Sequence, residues 1–115
     1  MTHTRVLIQQ VVEEYLAAWR SQDAKKAAAL FTADAVYWEE TLGKPMLGWK
    51  AIIEYWEKKV CVEQEAIECR LLSLLVEGDS AAVEWEVWFN DLPKSARKHM
   101  REVALLTFRG GLIAE

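Results

Sequence analysis

Near residue 60 the spacing of apolar residues changes from a helical to an extended period, and this switch limits the fold more than any other feature of the chain. On its N-terminal side Ile8, Val11, Val12, Tyr15, Leu16 and Trp19 recur at three- and four-residue intervals across residues 4–21, which puts them on one helical face. Asp23 stands where an N-cap belongs, before an alanine-rich segment, 24–31, that reads as a second, short helix. Ala51, Ile52, Tyr55, Trp56 and Val60 form the buried stripe of a third helix over 49–60. Between these two helices, residues 35–40 read as a strand, followed by a turn region carrying Gly43, Pro45 and Gly48.

Beyond the switch, side chains alternate between two faces in three long stretches, 65–77, 80–90 and 98–109. Gly78 and Asp79 make a tight connection, and Gly110 and Gly111 turn the chain into a last short strand, 112–115. Helices first and antiparallel strands afterwards predict an α+β domain: about three helices packed on one face of a strongly curved, mostly antiparallel sheet. Such a sheet encloses a cavity wherever the helices do not fill its concave side. With 115 residues, 52% of them hydrophobic and 28% charged, residues 1–115 read as one domain whose core needs neither disulfide nor structural metal.

Charge and motifs exclude several functions. Fourteen Lys and Arg against eighteen Asp and Glu give a net charge of −4, with no basic stretch to follow a phosphate backbone, so no nucleic-acid partner is expected. The longest apolar runs are a few residues, and residues 1–10 lack an apolar signal core, so neither a membrane span nor export is expected. Cys61 and Cys69 are eight apart with no histidine spaced to complete a zinc site, and read as reduced, partly buried thiols of a cytoplasmic protein. No Gly-rich phosphate loop, Ser-His-Asp order or metal-spaced cluster is present, so no cofactor or metal is expected.

Six tryptophans remain to be placed. Trp19 and Trp56 fall on buried helix stripes, Trp85 on the apolar face of its strand, and Trp49 opens the third helix. Trp38 and Trp88 share strand faces with glutamates, an alternation expected of a lined pocket or a covered sheet face rather than a pure core.

The arrangement Tyr15-x3-Trp19, Asp23-x7-Phe31-x2-Asp34-Ala35-Val36 and Gly48-x3-Ile52-x2-Tyr55-Trp56 resembles the SnoaL-like members of the nuclear transport factor 2-like superfamily, along nearly the whole chain. Ketosteroid isomerases, polyketide cyclases and limonene epoxide hydrolases belong to that superfamily. The resemblance implies a cone-shaped, cystatin-like α+β domain, a pocket between helices and sheet, and a homodimer. It also implies a last strand longer than 112–115. Aligned with the ketosteroid isomerases, Tyr15 matches their oxyanion-hole tyrosine and Glu39 their general base. Their protonated carboxylic acid falls at Ala104, a departure from the pattern. The epoxide hydrolases need an arginine where this chain reads Val83-Glu84-Trp85-Glu86-Val87, so that relay is incomplete too.

Each residue therefore carries two readings. Tyr15 is a core tyrosine or a hydrogen-bond donor aimed at a ligand oxygen. Glu39 and Glu40 alternate, so one acid faces aromatic side chains on either register, as a desolvated base or as a wet strand end. Met100, Glu102, Ala104, Leu106 and Phe108 share the expected pocket face, where Glu102 is either an inward acid or, the favoured reading, a rim charge paired with Arg101 or Lys98. Glu84 and Glu86 are placed on the solvent or dimer face with Trp88 rather than in the pocket, His99 on the surface rather than as a proton shuttle, and His3 in a free, disordered N-terminus. The expected pocket is thus Trp19, Trp38, Tyr55, Trp56, Glu102, Ala104, Leu106 and Phe108 around Tyr15 and Glu39. It belongs to a module that binds a hydrophobic small molecule, or to a cofactor-independent isomerase, cyclase or hydrolase of a carbonyl compound or epoxide.

Overall fold

A computed structural model describes residues 3–39 and 42–115. Three helices, α1 (Arg5–Ser21), α2 (Ala24–Ala28) and α3 (Gly48–Lys59), pack on a meander of four antiparallel strands, β3 (Gln64–Glu77), β4 (Ser80–Asp91), β5 (Ala96–Arg109) and β6 (Leu112–Ile113). A two-stranded ribbon, β1 (Val36–Tyr37) and β2 (Met46–Leu47), connects α2 to α3. This is the α+β architecture that the change of period predicts. Its core is continuous from Ile8, Leu16 and Trp56 on the helices to Val83 and Val87 on β4.

Local chemistry sets the helix ends. The Thr4 hydroxyl caps α1 by accepting from the Leu7 amide, and the Asp23 carboxylate caps α2 by accepting from Lys26. Gln22 ends α1 in the left-handed region, and its side-chain amide donates to the carbonyls of Val60 at 2.8 Å and Gln64 at 2.7 Å. One polar side chain thus ties the ends of α1 and α3 to the start of β3.

Register sorts the sheet into two faces. The pairs Val83–Ala104, Trp85–Glu102 and Val87–Met100 turn toward the helices, whereas Glu84–Val103, Glu86–Arg101 and Trp88–His99 turn away. Irregularities between Glu65 and Glu68, where Ala66 has φ 51°, and between Leu71 and Ser73 bend β3 and curve the sheet over α1.

Four expectations need correction. The second helix ends at Ala28, because the Leu30 carbonyl and Thr32 amide hydrogen-bond both backbone groups of Ile113, 2.8 Å each, pulling the chain out of helical register. The strand expected over 35–40 is confined to Val36–Tyr37, with Glu40 outside the described residues, and it pairs with Met46–Leu47 in the presumed turn; two residues are too few to leave a period in sequence. His3 is not free. Its Nδ1 lies 2.7 Å from Asp79, its Nε2 accepts the Gly111 amide at 2.9 Å, and its ring packs on Phe108. Cys61 is exposed rather than partly buried, its thiol donating to the Gln22 carbonyl.

Gly48 opens α3 at φ +80°, and a Cβ there would stand 3.2 Å from the Ala33 carbonyl oxygen. Gly48→Ala is expected to cost about 1–3 kcal/mol, read as a lower urea midpoint at unchanged m.

Candidate functional site

The concave face of the sheet carries a chain of rings that begins on α1. Tyr15 contacts four of them, with centroid distances of 5.4 Å to Trp56, 5.7 Å to Trp85, 6.1 Å to Phe31 and 6.4 Å to Trp19. Phe31 continues to Tyr37 at 5.6 Å and Tyr37 to Tyr55 at 5.7 Å. These seven rings line a cavity closed by β4 and β5 and open past the ribbon, where Trp38 and Glu39 form the mouth. The lining continues around the free edge of β5, from Ala96 to Leu106 unpaired on that side among the described residues, to Leu75, Ala82, Val103 and Leu105 on the outer face.

Hydroxyls and acids follow the same path. The Tyr15 and Tyr37 hydroxyls share a hydrogen bond of 3.0 Å. Burial holds both phenols protonated, well above their ordinary range for Tyr15. Tyr55 is raised as well, by burial first and then by the neighbouring Glu39 carboxylate. Glu102 has no hydrogen-bond or ion-pair partner among the described residues, and its carboxyl is raised by desolvation and then by Glu39. The rim pairing expected for it is not formed, because Arg101 is drawn to Glu84 at 2.7 Å on the outer face and Lys98 to Asp91 at 3.6 Å.

Of the residues singled out by sequence, Tyr15, Trp19, Glu39, Tyr55, Trp56, Glu102, Ala104 and Leu106 line the cavity, with Trp38 at its mouth. Phe108 does not; it is buried beneath His3 at the far end of β5. Glu39 is exposed, so the desolvated acid is Glu102 instead. Tyr37, Phe31 and Trp85 are the members that sequence reasoning left out of the site. Tyr37 shares the strand parity of Glu39, which is the signal that finds it.

The tryptophans divide by hydrogen bonding. Trp19 Nε1 donates to Gln64 at 3.0 Å, Trp49 to the Phe31 carbonyl at 2.8 Å, and Trp38 to the Glu115 carboxylate at 3.0 Å. The indole N–H groups of Trp56 and Trp85, buried in the cavity wall, have no partner in hydrogen-bonding geometry. On the outer face His99 stacks on Trp88 at 4.6 Å and reaches Glu86 at 2.8 Å, and Arg70 binds the same carboxylate. Glu84 and Glu86 are therefore outward, compensated charges. No group of three or more metal-ligating side chains occurs among the described residues.

The position of Glu102 has a consequence for stability. Its folded pKa is raised above the ordinary 4.5, so the native state holds the proton more tightly than the unfolded chain and the ionised carboxylate opposes folding at neutral pH. Glu102→Gln is expected to raise Tm by a few degrees at about pH 7.5, the gain shrinking as pH falls and gone below 4.5, as followed by circular dichroism. Tyr37→Phe leaves the Tyr15 hydroxyl buried and unpaired, and is expected to lower stability by about 1–3 kcal/mol.

A protein of Catenulispora acidiphila with a ketosteroid isomerase-like fold, solved in complex with trimethylamine, superimposes with a TM-score of 0.81 at 21% identity over 91% of this chain and 80% of that one. A limonene epoxide hydrolase-like enzyme of Mycobacterium tuberculosis gives 0.76 at 16% identity, over 95% of this chain and 78% of that one. SalBIII, an epoxide hydrolase/cyclase-like enzyme of pyran ring formation in salinomycin, gives 0.79 at 22% identity, over 92% and 84%. These likenesses are of fold. No curated protein matches the chain by sequence. The SnoaL-like domain profile matches residues 12–115, the stretch that holds every ring of the cavity wall, and the chain therefore belongs to the SnoaL-like family.

Proposed function

We propose that the protein binds a hydrophobic small molecule in the cavity between helices and sheet, without cofactor or metal. The observation that carries this reading is the wall itself: seven connected rings and an uncompensated carboxyl, Glu102, left facing space that the core does not fill. A side chain whose only task was stability would not be an acid held without a partner among aromatic rings. The trimethylamine complex of the Catenulispora protein supports the use of this fold for small ligands.

A catalytic reading also has an observation in its favour. Tyr15 and Glu39 line the same cavity, with Tyr37 and Tyr55 between them and Glu102 close enough to Glu39 to feel its charge. Glu39 would act as the base beside a carbonyl or epoxide, and Tyr15, protonated and joined to Tyr37, as the donor to the developing oxyanion.

The outer face supports a homodimer. Leu75, Val103 and Leu105 are 71%, 66% and 78% exposed there, an aliphatic patch separated from the Trp88–His99 stack by the Glu86–Arg101 pair. Two unpaired cysteines agree with a reducing, cytoplasmic setting. No helix is long and apolar enough to cross a membrane among the described residues.

Occupancy is tested by thermal shift and tryptophan quenching with 2-tetralone and limonene oxide, a ketone and an epoxide of suitable size. A ligand at about a hundredfold over its Kd adds about 2.7 kcal/mol of stability, and Ala104→Phe, which adds a ring to the cavity wall opposite Val83, is expected to reduce that gain. Glu39→Gln is expected to remove any turnover while leaving the thermal shift in place; loss of both would make Glu39 a binding residue. Sedimentation at micromolar concentration is expected to give a dimer that Leu105→Glu converts to monomer.

A further inference from the structure

We infer that the cavity selects an organic cation, an alkylated ammonium group carried on an apolar body, over neutral or anionic molecules of the same shape. This rests on the ligand-binding reading above and names the chemical class of the ligand.

The sign of the charge comes from what lines the cavity. Among its described lining residues there is no Lys, Arg or His, while Glu102 sits on the inner face and Glu39 and Glu115 at the mouth. The nearby basic side chains are already engaged elsewhere: Lys98 with Asp91, Arg101 with Glu84, Arg70 and His99 with Glu86, Arg109 with Asp34. The outer face thus neutralises its own acids, and the inner face does not. An anionic ligand would enter a space whose fixed charges all repel it and would leave its own charge unpaired.

The rings supply the second half of the recognition. Aromatic faces carry the negative end of a quadrupole, and several of them around one site, with a carboxylate behind, attract a quaternary or tertiary ammonium that water solvates poorly. Tyr37 and Tyr55, only partly buried, keep ring surface open to the cavity, and the nearly buried rings of Tyr15, Trp19, Trp56 and Trp85 stand behind them in one connected cluster. A cation resting near Glu102 would also relieve the carboxylate of the isolation that burial imposes on it. An uncharged ligand offers no such relief, and gains only from the apolar walls.

The test compares benzyltrimethylammonium with its uncharged isostere, in which carbon replaces nitrogen, and with phenylacetate, each titrated against the full chain by tryptophan fluorescence. The cation is expected to bind about tenfold more tightly than the isostere, and phenylacetate more weakly than either. Glu102→Gln is expected to cut the affinity for the cation about fivefold or more while changing that for the isostere less than about twofold. Thermal unfolding of the variant confirms that it is folded. Equal binding of cation and isostere, tighter binding of phenylacetate, or a cation preference unchanged in Glu102→Gln and in Glu39→Gln would each overturn the inference and leave the pocket standing. Binding of none of the three would overturn the pocket together with it.

Discussion

The position of one ring organises this molecule. Tyr15, on α1, touches a tryptophan of its own helix, one of α3, one of β4 and the phenylalanine that follows α2, and its hydroxyl meets that of Tyr37 on β1. Every layer of the fold is therefore in contact with it. Edge-to-face packing on Trp19, Phe31 and Trp56 at 5.4–6.4 Å contributes beyond buried area alone, so the tyrosine acts as a joint between layers as well as a part of the site. Because the hydroxyl is held by Tyr37, its donor direction is set before any ligand arrives. Joint and donor are the same side chain, so the buried stripe of α1 that holds the layers together also presents a hydroxyl to the cavity.

Electrostatics divides the sheet in two. On the outer face each acid of β4 meets a basic partner across the ladder: Glu84 with Arg101, Glu86 with Arg70 and His99. These pairs are solvent-screened, and each contributes little to stability. Their larger effect is to use up the cations of β3 and β5, so that none reaches inward. On the inner face, β5 places Glu102 beside Trp85 with nothing to balance it. Alternation along a strand thus gives one β5 segment a compensated surface and an uncompensated cavity wall.

The unpaired indole groups of Trp56 and Trp85 show a second tension in the same wall. Large rings fill the curved space under the sheet, and packing leaves the Trp85 N–H without an acceptor and the Trp56 N–H with only the Tyr37 hydroxyl nearby, a loss of solvation that folding has to offset. The surrounding structure holds that cost because Gln22, the Thr4 and Asp23 caps and the Ile113 bridge tie the helices down independently of the cavity.

Sequence alone determined the elements and their faces. Period fixes whether a segment is helix or strand, and parity fixes which of its residues share a side, because both depend only on covalent geometry; α1, α3 and the three long strands follow their apolar spacing closely. Parity also foretold that Glu102, Ala104 and Leu106 would share one face, though not which face the helices would cover. Tertiary structure decided the rest. Whether Glu102 found a cation depended on Arg101 and Lys98 being captured by Glu84 and Asp91, acids of the neighbouring strand. The two-residue ribbon Val36–Tyr37 with Met46–Leu47, the early end of α2 and the anchoring of His3 arise from pairings between segments far apart in the chain. Those pairings leave no local period. Parity places Tyr37 on the face of Glu39, but its hydrogen bond to Tyr15, made across twenty-two residues, is a contact that no spacing rule encodes.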